Sequence, residues 1–581
     1  MSGLAMLGCV CGVTIGMWHA PVALLLDLIL VCTMAKEFKR KAALWTLGGI
    51  VLSILLSGVF VLYTGADAEV YHRPAVVLLA NGWNPLSQTE VVEIRTLMGG
   101  GFRPWHVAFL PRMGWIFGAI LYRWVGFVEV ADAMNILLLM ASILSVRQLL
   151  SDCEVKNWRW LWTTLICTSP VVANGIWGGM VDSAWYSSFL IAVSAAQRRQ
   201  EGLLALAVVV MSGLKFTGVV VGALICIVYG IGWLVAAGRE NRMRMALRIC
   251  VLGVVTVALI FLINASPYLT SWKHHGGPFY PSHSFVASER FAEAKNPITN
   301  DFTVMNDDAR ELGYFGRLTW GYLSQDLCKA YYRLKTDRKN FNPDFQVNNG
   351  VGGFGTFFRI CFVMSLIVWP FIRHRTINVL MGLILLTVLI QPTTYSGYAR
   401  YVPQFYLFPI LAIMGGCHRL GWWRTGGVVA GVYGTTMLIY PLSFLALQWI
   451  ISIQNLSIFA EVEQGNGLSA FAPNLASRQT LSDLSLGSLQ FVEKSNSQGN
   501  GLPYSPYFGF YTCYLKSDIK DFPNLHHQVG NNDAKIKASR NASLVRYFLK
   551  DFLPHELVRV PQRCVQLIRL RVKQLACATF R

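Results

Sequence analysis

Residues 42–63 read AALWTLGGIVLSILLSGVFVLY, a run of 22 residues that contains no charged side chain. A helix needs about 20 predominantly apolar residues to cross the hydrocarbon core of a bilayer. The basic stretch Lys39-Arg40-Lys41 stands directly before this run, and clusters of Lys and Arg are typical of cytoplasmic loops. The stretch therefore predicts a transmembrane helix that begins at the cytoplasmic side.

Apolar segments of this kind recur along the chain. The 581 residues are 54% hydrophobic and only 14% charged, whereas soluble domains carry about 25% charged residues. We therefore predict an all-α polytopic membrane protein, a helix bundle of about 11–13 transmembrane helices with external juxtamembrane helices and loops. The predicted crossings after the first are 128–148, 160–176, 183–197, 203–213, 218–237, 248–265, 354–372, 376–391, 401–416 and 425–447.

The basic residues indicate orientation rather than a nucleic-acid partner. The formal net charge is +19, but the Lys and Arg side chains stand in short clusters between apolar runs, without the basic stripe of a nucleic-acid surface. If 42–63 runs outward, these clusters all fall on the side where that run begins. They include Arg147, Arg198, Arg244, Arg373 and Arg419. The positive-inside rule makes that side cytoplasmic, which predicts a multi-pass membrane protein with its elaborate loops on the other face.

Three regions follow from the distribution of apolar residues. Residues 1–41 hold an apolar segment, either one long helix or a hairpin, and a basic loop. Residues 42–454 form the transmembrane core, whose loops 64–127 and 266–353 are predicted to be external. Residues 455–581 form a polar tail that ends in a basic amphipathic helix.

The first external loop is predicted to contain two parts. Residues 64–105 are polar, rich in glycine and punctuated by proline, which predicts an irregular loop. Residues 106–125 are apolar but include Pro111, Arg112 and Arg123, so we expect an interfacial helix that lies along the membrane.

Two acidic residues open this loop. Asp67 and Glu69 follow directly after the first predicted crossing, at a depth where a carboxylate meets the bilayer surface. Transfer of a group to a hydroxyl requires a positioned base that takes up the proton of the acceptor. The alternative is a solvated loop with a charge at a helix end.

Asp182 and Lys215 stand at later turns on the same predicted face. A charge beside bilayer-embedded helices is costly and is often functional, although Asp182 also fits an N-cap for a helix that begins at Ser183. Lys215, within Gly-Leu-Lys-Phe-Thr-Gly, is suited to attract a phosphate. Its alternative is a side chain that extends to the interface.

Further polar and aromatic residues stand at the external mouths of the predicted crossings. Arg400 follows Tyr398, and a guanidinium matches phosphate oxygens with a planar fork of donors; the alternative for Arg400 is an interfacial anchor among tyrosines. The second large loop contains His274 and Tyr280 in an aromatic, proline-rich stretch. The adjacent pair His274-His275 has no third ligand nearby in sequence, so no metal and no other cofactor is indicated, although a divalent metal stays possible.

These motifs, in this order, resemble the GT-C superfamily of membrane glycosyltransferases, which includes protein O-mannosyltransferases and aminoarabinose transferases. The resemblance covers roughly residues 42–447. It rests on the acidic motif at 67–72, the juxtamembrane segment from Trp105, the Val181-Asp182-Ser183 turn, the stretch around Lys215, and the motifs at 278–281 and 399–401. In place of the family's His-Pro-Pro element this chain has Arg103-Pro104-Trp105-His106.

The resemblance implies an inverting transfer from a polyprenyl-phosphate sugar to a glycan, glycolipid or protein acceptor at the non-cytoplasmic, periplasmic face of a cell inner membrane. Asp67 is the implied general base, and Asp182 and Glu69 are further candidates for the catalytic group. The candidate substrate-binding residues are His72, Arg103, His106, Lys215, His274, Tyr280, Tyr398 and Arg400.

Two other functions fit the same pattern. An O-antigen polymerase or ligase is also polytopic with a large external loop, and the segment 266–353 holds the Arg and His residues that such enzymes use. A lipid-linked sugar transporter or flippase also carries intramembrane charges, but here the acidic residues gather at one outer face, which favours a reaction centre.

Overall fold

A computed structural model describes most of the first three quarters of the chain and three short pieces of its tail. The described residues are 14–16, 18–34, 39–58, 68–97, 104–153, 155, 158–176, 178–278, 354, 356–390, 400–438, 468–471, 490–491 and 512–515.

Between residues 14 and 438, every regular element that the structure describes is helical. The first group contains α1 (His19–Met34), α2 (Lys39–Ser57), a π-helix (Ala68–His72), α3 (Arg73–Ala80), α4 (Val91–Leu97), α5 (Pro104–Phe109) and α6 (Met113–Val125). The second group begins with a 3₁₀ turn (Val128–Asp132) and contains α7 (Ala133–Asp152), α8 (Arg159–Cys167), α9 (Pro170–Gly175), α10 (Asp182–Gln197), α11 (Glu201–Leu214) and α12 (Phe216–Ala236).

The remaining helices follow a 3₁₀ turn (Arg239–Asn241). They are α13 (Arg242–His275), α14 (Thr356–Val368) with a 3₁₀ turn (Trp369–Phe371), α15 (Arg375–Leu389), a 3₁₀ turn (Pro403–Tyr406), α16 (Leu407–Leu420) and α17 (423–438). In the tail, β1 (Leu468–Phe471) lies between β2 (Gln490–Phe491), to which it is parallel, and β3 (Thr512–Leu515), to which it is antiparallel.

Two apolar cores organise the bundle. The first joins α1–α6 to the beginning of α7, and the second joins α7–α12 to α14–α17. Helix α10 is the centre of the second core, because every residue from Asp182 to Ala196 is buried. A helix that is apolar or small on all sides is expected to be surrounded by protein or lipid, and here protein surrounds it.

Three helical segments among the described residues are long and apolar enough to cross a membrane: Val128–Asp152, Phe216–Ala236 and Arg239–His274. The last has only 6% of its most apolar window buried, and side chains such as Val254 and Phe261 are exposed. An exposed apolar surface of this extent marks an interaction site, and a helix of this length and composition indicates a lipid surrounding.

The prediction of an irregular loop over 64–105 was wrong, because this segment contains a π-helix, α3 and α4. All eight residues of α3 are buried, and proline in its first turn is compatible with a helix start. The sequence suggested a loop because a short helix enclosed by protein needs neither a polar face nor the length of a crossing.

Two other segments predicted as single helices are divided. The crossing predicted over 160–176 is interrupted at Thr168-Ser169, where Ser169 Oγ accepts a hydrogen bond of 3.2 Å from Val172 N and caps α9. The segment 106–125 is divided between α5 and α6 by residues 110–112, which include Pro111. Most of α6 is buried in the first core.

Candidate functional site

Asp182 is held by the turn that connects α9 to α10. Asn135 in α7 donates from Nδ2 to the carbonyl oxygens of Met180 at 2.9 Å and Gly175 at 3.3 Å. Helix α10 begins at Asp182, and its N-cap is Val181, which makes no side-chain cap bond. The N-cap alternative was therefore wrong, and the carboxylate lies in the first turn, where the helix dipole favours a negative charge.

Lys215 lies at the tip of a tight hairpin between α11 and α12. It has an extended backbone (φ −148°, ψ 148°) and is the single residue between the two helices. The helices return along each other closely, since an added Cβ at Gly218 would lie 2.0 Å from the Met211 carbonyl oxygen. Only glycine fits at such a distance. The other glycine of the motif is also closely packed, since an added Cβ at Gly213 would clash with Asn264 Oδ1 and lie 2.7 Å from the Cβ of Met113.

The hairpin tip brings Lys215 to Asp182 and Arg400. Lys215 Nζ donates to Asp182 Oδ1 and, at 2.9 Å, to the carbonyl oxygen of Arg400. Arg400 Nη2 lies 3.6 Å from Asp182 Oδ2. The side chain of Asp182 is 1% exposed, whereas those of Lys215 and Arg400 are 11% and 9% exposed. We call these three residues the cation cluster.

The cation cluster places two cations beside the buried carboxylate of Asp182. Tyr401 adds a ring whose centroid is 4.9 Å from Lys215 Nζ and 5.4 Å from Arg400 Cζ, within the range of a cation–π interaction. Lys215 is thus held in a cluster, and the alternative of a side chain that only extends to the interface was wrong.

A second buried ion pair lies behind the same turn. Arg73 Nη2 donates to Asp132 Oδ2 at 3.2 Å, and both side chains are 1% exposed. Glu129, in the same 3₁₀ turn as Asp132, is also fully buried. The sequence interpretation missed these three residues, although a charge within an apolar run, as in Val128-Glu129-Val130-Ala131-Asp132, is the signal that could have found them.

The acidic motif of the first loop approaches the turn from the other side. Ala68, the residue after Asp67, packs against Gly179, where an added Cβ would lie 2.5 Å from the Cβ of Ala68. Asp67 itself is outside the described residues, and only the backbone of Glu69 is described. The motif and Asp182 are therefore associated through the turn at 178–181.

A small cavity of about 20 Å³, lined by both polar and apolar side chains, lies in this region. It has room for roughly one water molecule. Its lining includes Arg73, Asp132, Asn135, Gly179 and Leu214. The cavity therefore lies between the Arg73–Asp132 pair and the residue that precedes Lys215.

The candidate histidines of the first loop are buried in the first core. His72 Nδ1 accepts a hydrogen bond of 2.6 Å from Trp115 Nε1, which leaves Nε2 as the protonated nitrogen of the neutral ring. His106 stacks on Tyr71, with ring centroids 4.5 Å apart. His72 also lines the small cavity, so of the two it is nearer to the turn.

The other candidate residues lie elsewhere or are not described. His274 Nε2 is 3.2 Å from Thr89 Oγ1 and 3.8 Å from Glu90 Oε1, which ties the end of α13 to the segment before α4. Arg103, Tyr280 and Tyr398 are outside the described residues. Within the part of the chain that the structure describes, no group of three or more His, Cys, Asp or Glu is arranged to hold a metal ion.

No protein-family model, curated protein or solved structure matches this chain. The geometry of the cation cluster and of the turn beside it therefore carries the functional argument.

Proposed function

We propose that this chain is a polytopic membrane glycosyltransferase of the GT-C type. It transfers a sugar from a polyprenyl-phosphate donor to an acceptor at the non-cytoplasmic face of a cell inner membrane, with inversion at the anomeric carbon. The observation that carries the proposal is the convergence of Asp182, Lys215 and Arg400, three residues far apart in sequence that the resemblance had assigned to one site.

The cation cluster matches the charge change of this reaction. A polyprenyl-phosphate sugar is a phosphodiester with one negative charge, and the departing polyprenyl phosphate carries up to two. Lys215 and Arg400 supply donors for the growing charge, and fixed charges of this kind are usually the largest contribution to catalysis. The guanidinium keeps its charge in a poorly hydrated site.

Asp182 acts in this proposal as a positioning residue. Its carboxylate is almost completely buried and engages both cations, so it orients them towards the phosphate rather than accepting a proton from the acceptor. This differs from the catalytic role that the sequence suggested for Asp182. The general base is then Asp67, whose neighbour Ala68 packs against the turn that holds Asp182.

The transfer is a single displacement. The acceptor hydroxyl oxygen attacks the anomeric carbon, and its proton passes to the carboxylate of Asp67. The bond between the anomeric carbon and the phosphate oxygen breaks, and its electron pair remains on the phosphate beside Lys215 and Arg400. The lipid tail stays in the bilayer, in which the three candidate spans and the shorter apolar helices provide the surrounding bundle.

The first test is a transfer assay with the full chain in proteoliposomes. Donors are radiolabelled decaprenyl-phosphate hexoses and pentoses, and cell-envelope material of the expression host supplies the acceptors. We expect label transfer by the unaltered chain and a loss of about 100-fold or more in Lys215→Ala, as for removal of a donor from an oxyanion site. The control is Lys273→Ala, which removes an exposed lysine.

Two results would overturn the proposal. In one, Lys215→Ala transfers label as fast as Lys273→Ala. In the other, no donor is used by the unaltered chain, or labelled lipid crosses the membrane without transfer, which would indicate a flippase.

Asp67→Asn tests the base separately, because the amide keeps the shape of the side chain and removes its proton affinity. We expect transfer to fall by about 100-fold or more, while binding of decaprenyl phosphate, measured by native mass spectrometry, stays unchanged. Transfer near the rate of the unaltered chain would remove Asp67 from the mechanism without affecting the role of the cation cluster.

A further inference from the structure

Helix α13 has one face packed on the bundle and one face exposed. Met245, Ile249 and Ile263 pack against the second core. Ile249 also lies beside α12, because an added Cβ at Gly230 would be 3.5 Å from Ile249 Cγ2. In the candidate span Arg239–His274 only 6% of the most apolar window is buried, compared with 39% and 33% in the two other spans. The described protein therefore covers this span least.

One exposed stripe runs along α13. Its residues are spaced by three or four positions, the spacing that places side chains on one face of a helix. They are Arg244, Arg248, Val251, Val255, Ala258 and Leu262, and all of them are exposed. We call these residues the α13 stripe. Its first two positions are cationic, and its remaining positions are apolar.

The two arginines of the α13 stripe stand where their charge is unfavourable for the helix itself. Arg244 is in the first turn, which contains no acidic residue, although the positive end of the helix dipole lies there. Arg248 follows one turn later, and like charges at this spacing repel each other. Among the residues that the structure describes, neither arginine has an ion-pair partner. An anion from outside the chain would therefore offset both repulsions.

The dimensions of the α13 stripe match one leaflet of a bilayer. From Val251 to Leu262 the stripe extends about 16 Å, and the hydrocarbon region of one leaflet is about 15 Å deep, half of the whole core. The arginines come directly before this apolar part, at the level of the phosphates of that leaflet. An anionic head on Arg244 and Arg248 therefore places an acyl chain against the apolar residues of the stripe.

A second copy of the chain fits this surface less well than a lipid does. Two copies that pack through α13 in one membrane are related by a two-fold axis perpendicular to the bilayer, so their stripes meet at the same depth. Arg244 and Arg248 would then lie beside the same two arginines of the second copy, and neither stripe contains a carboxylate. Basic residues near a membrane surface instead attract the headgroups of anionic lipids. Charge complementarity therefore selects a lipid.

The arginines of the α13 stripe are far from the cation cluster. Tyr268, near the other end of α13, donates from its hydroxyl group at 2.8 Å to the carbonyl oxygen of Ser212, which precedes Lys215 at the end of α11. About 30 Å of helix separates Arg248 from Tyr268. A ligand bound at these arginines therefore takes no part in sugar transfer.

We propose that the α13 stripe binds one anionic phospholipid. Arg244 and Arg248 hold its phosphate, and its acyl chain lies along Val251, Val255 and Leu262. The bound lipid fixes the depth of α13 in the membrane, and the site stands independently of the proposed function.

The test is photolabelling of the full chain in phosphatidylcholine nanodiscs. The probes are phosphatidylglycerol and phosphatidylcholine, each with a diazirine on its acyl chain, and labelled residues are identified by mass spectrometry. We expect phosphatidylglycerol to label the apolar residues of the stripe about tenfold more than phosphatidylcholine does, because each arginine adds to the attraction of an anionic headgroup. A diazirine near the head should label Val251 most strongly, and a diazirine at the end of the chain should label Leu262.

Two double variants separate this site from a general attraction to the basic end of α13. Arg244→Gln/Arg248→Gln should reduce the preference for phosphatidylglycerol to less than about twofold. Arg239→Gln/Arg242→Gln is the matched control, since it removes two exposed arginines of the same segment that do not belong to the stripe. This control should keep most of the preference.

Three results would overturn the proposal. In the first, both double variants lose the preference equally, which would indicate a general electrostatic attraction. In the second, the two phospholipids label the stripe equally. In the third, neither probe labels the stripe, and native mass spectrometry of the nanodiscs, which counts the chains in each, then shows whether a second copy covers it.

Discussion

Two buried ionic groups flank the turn at residues 178–181, and they differ in access. Arg73 and Asp132 form an ion pair in which each side chain is 1% exposed. The two cations of the cation cluster retain 9–11% exposure. The closed pair holds structure, whereas the partly accessible cluster is suited to a ligand. Burial of charge alone therefore does not identify a functional site.

The largest effect should come from breaking the closed pair. Asp132→Ala removes the carboxylate to which the buried Arg73 donates, and breaking a buried pair should lower the free energy of unfolding by about 3–5 kcal/mol. Lys215→Ala should cost less than Asp132→Ala, because Arg400 Nη2 stays 3.6 Å from Asp182 Oδ2 and the lost charge is partly accessible. Titration with SDS, followed by tryptophan fluorescence, measures both.

The double variant Arg73→Met/Asp132→Ala is the control for this comparison. Replacement of both side chains removes the buried cation together with the carboxylate, so we expect it to recover most of the stability that Asp132→Ala loses. A double variant as unstable as the single one would show that Arg73 has a role beyond its pairing with Asp132.

Substitution of Arg400 should affect transfer more than stability. Arg400→Ala removes one of the two cations, and we expect the rate of transfer to fall by about 100-fold. Arg400→Lys keeps the charge but loses the planar fork, so a loss of about tenfold is expected. The transfer assay with a saturating decaprenyl-phosphate sugar measures this order, and equal rates for the two variants would contradict a role for the fork.

The smallest effect should come from Gly179→Ala, which tests how the first loop is joined to the turn. Gly179 has a φ of +65°, and an added Cβ would lie 2.5 Å from the Cβ of Ala68. Because this displaces the segment beside Asp67, we expect transfer to fall by about tenfold. Gly126→Ala is the control, since its φ is +79° but no atom lies within 4 Å of the added Cβ.

A result in which both glycine variants lose the same activity would assign the effect to backbone strain alone. A loss confined to Gly179→Ala would support the contact between the acidic motif and the turn.

Much of the helical content could be predicted from the sequence. The apolar runs at 128–148, 218–237 and 248–265 each correspond to a helix that is long and apolar enough to cross a membrane, because length and composition are properties of the segment itself. The same pattern analysis failed at 73–80, where all eight residues of a helix with proline in its first turn are buried. The rest of the protein covers the surface of this helix, so its own sequence needs no polar face that would reveal it.

The candidate site, too, could be predicted from the sequence only in part. The sequence by itself shows which charged residues stand beside apolar runs, where a charge is costly. It therefore indicated Asp182, Lys215 and Arg400, each separately. Only the tertiary structure decided that they meet, because α10, the hairpin at Lys215 and the turn before α16 are brought together by packing. It also decided that Arg73 pairs with Asp132 across 59 positions of the chain, since the energy of a buried charge depends on its partner and no local pattern encodes that partner.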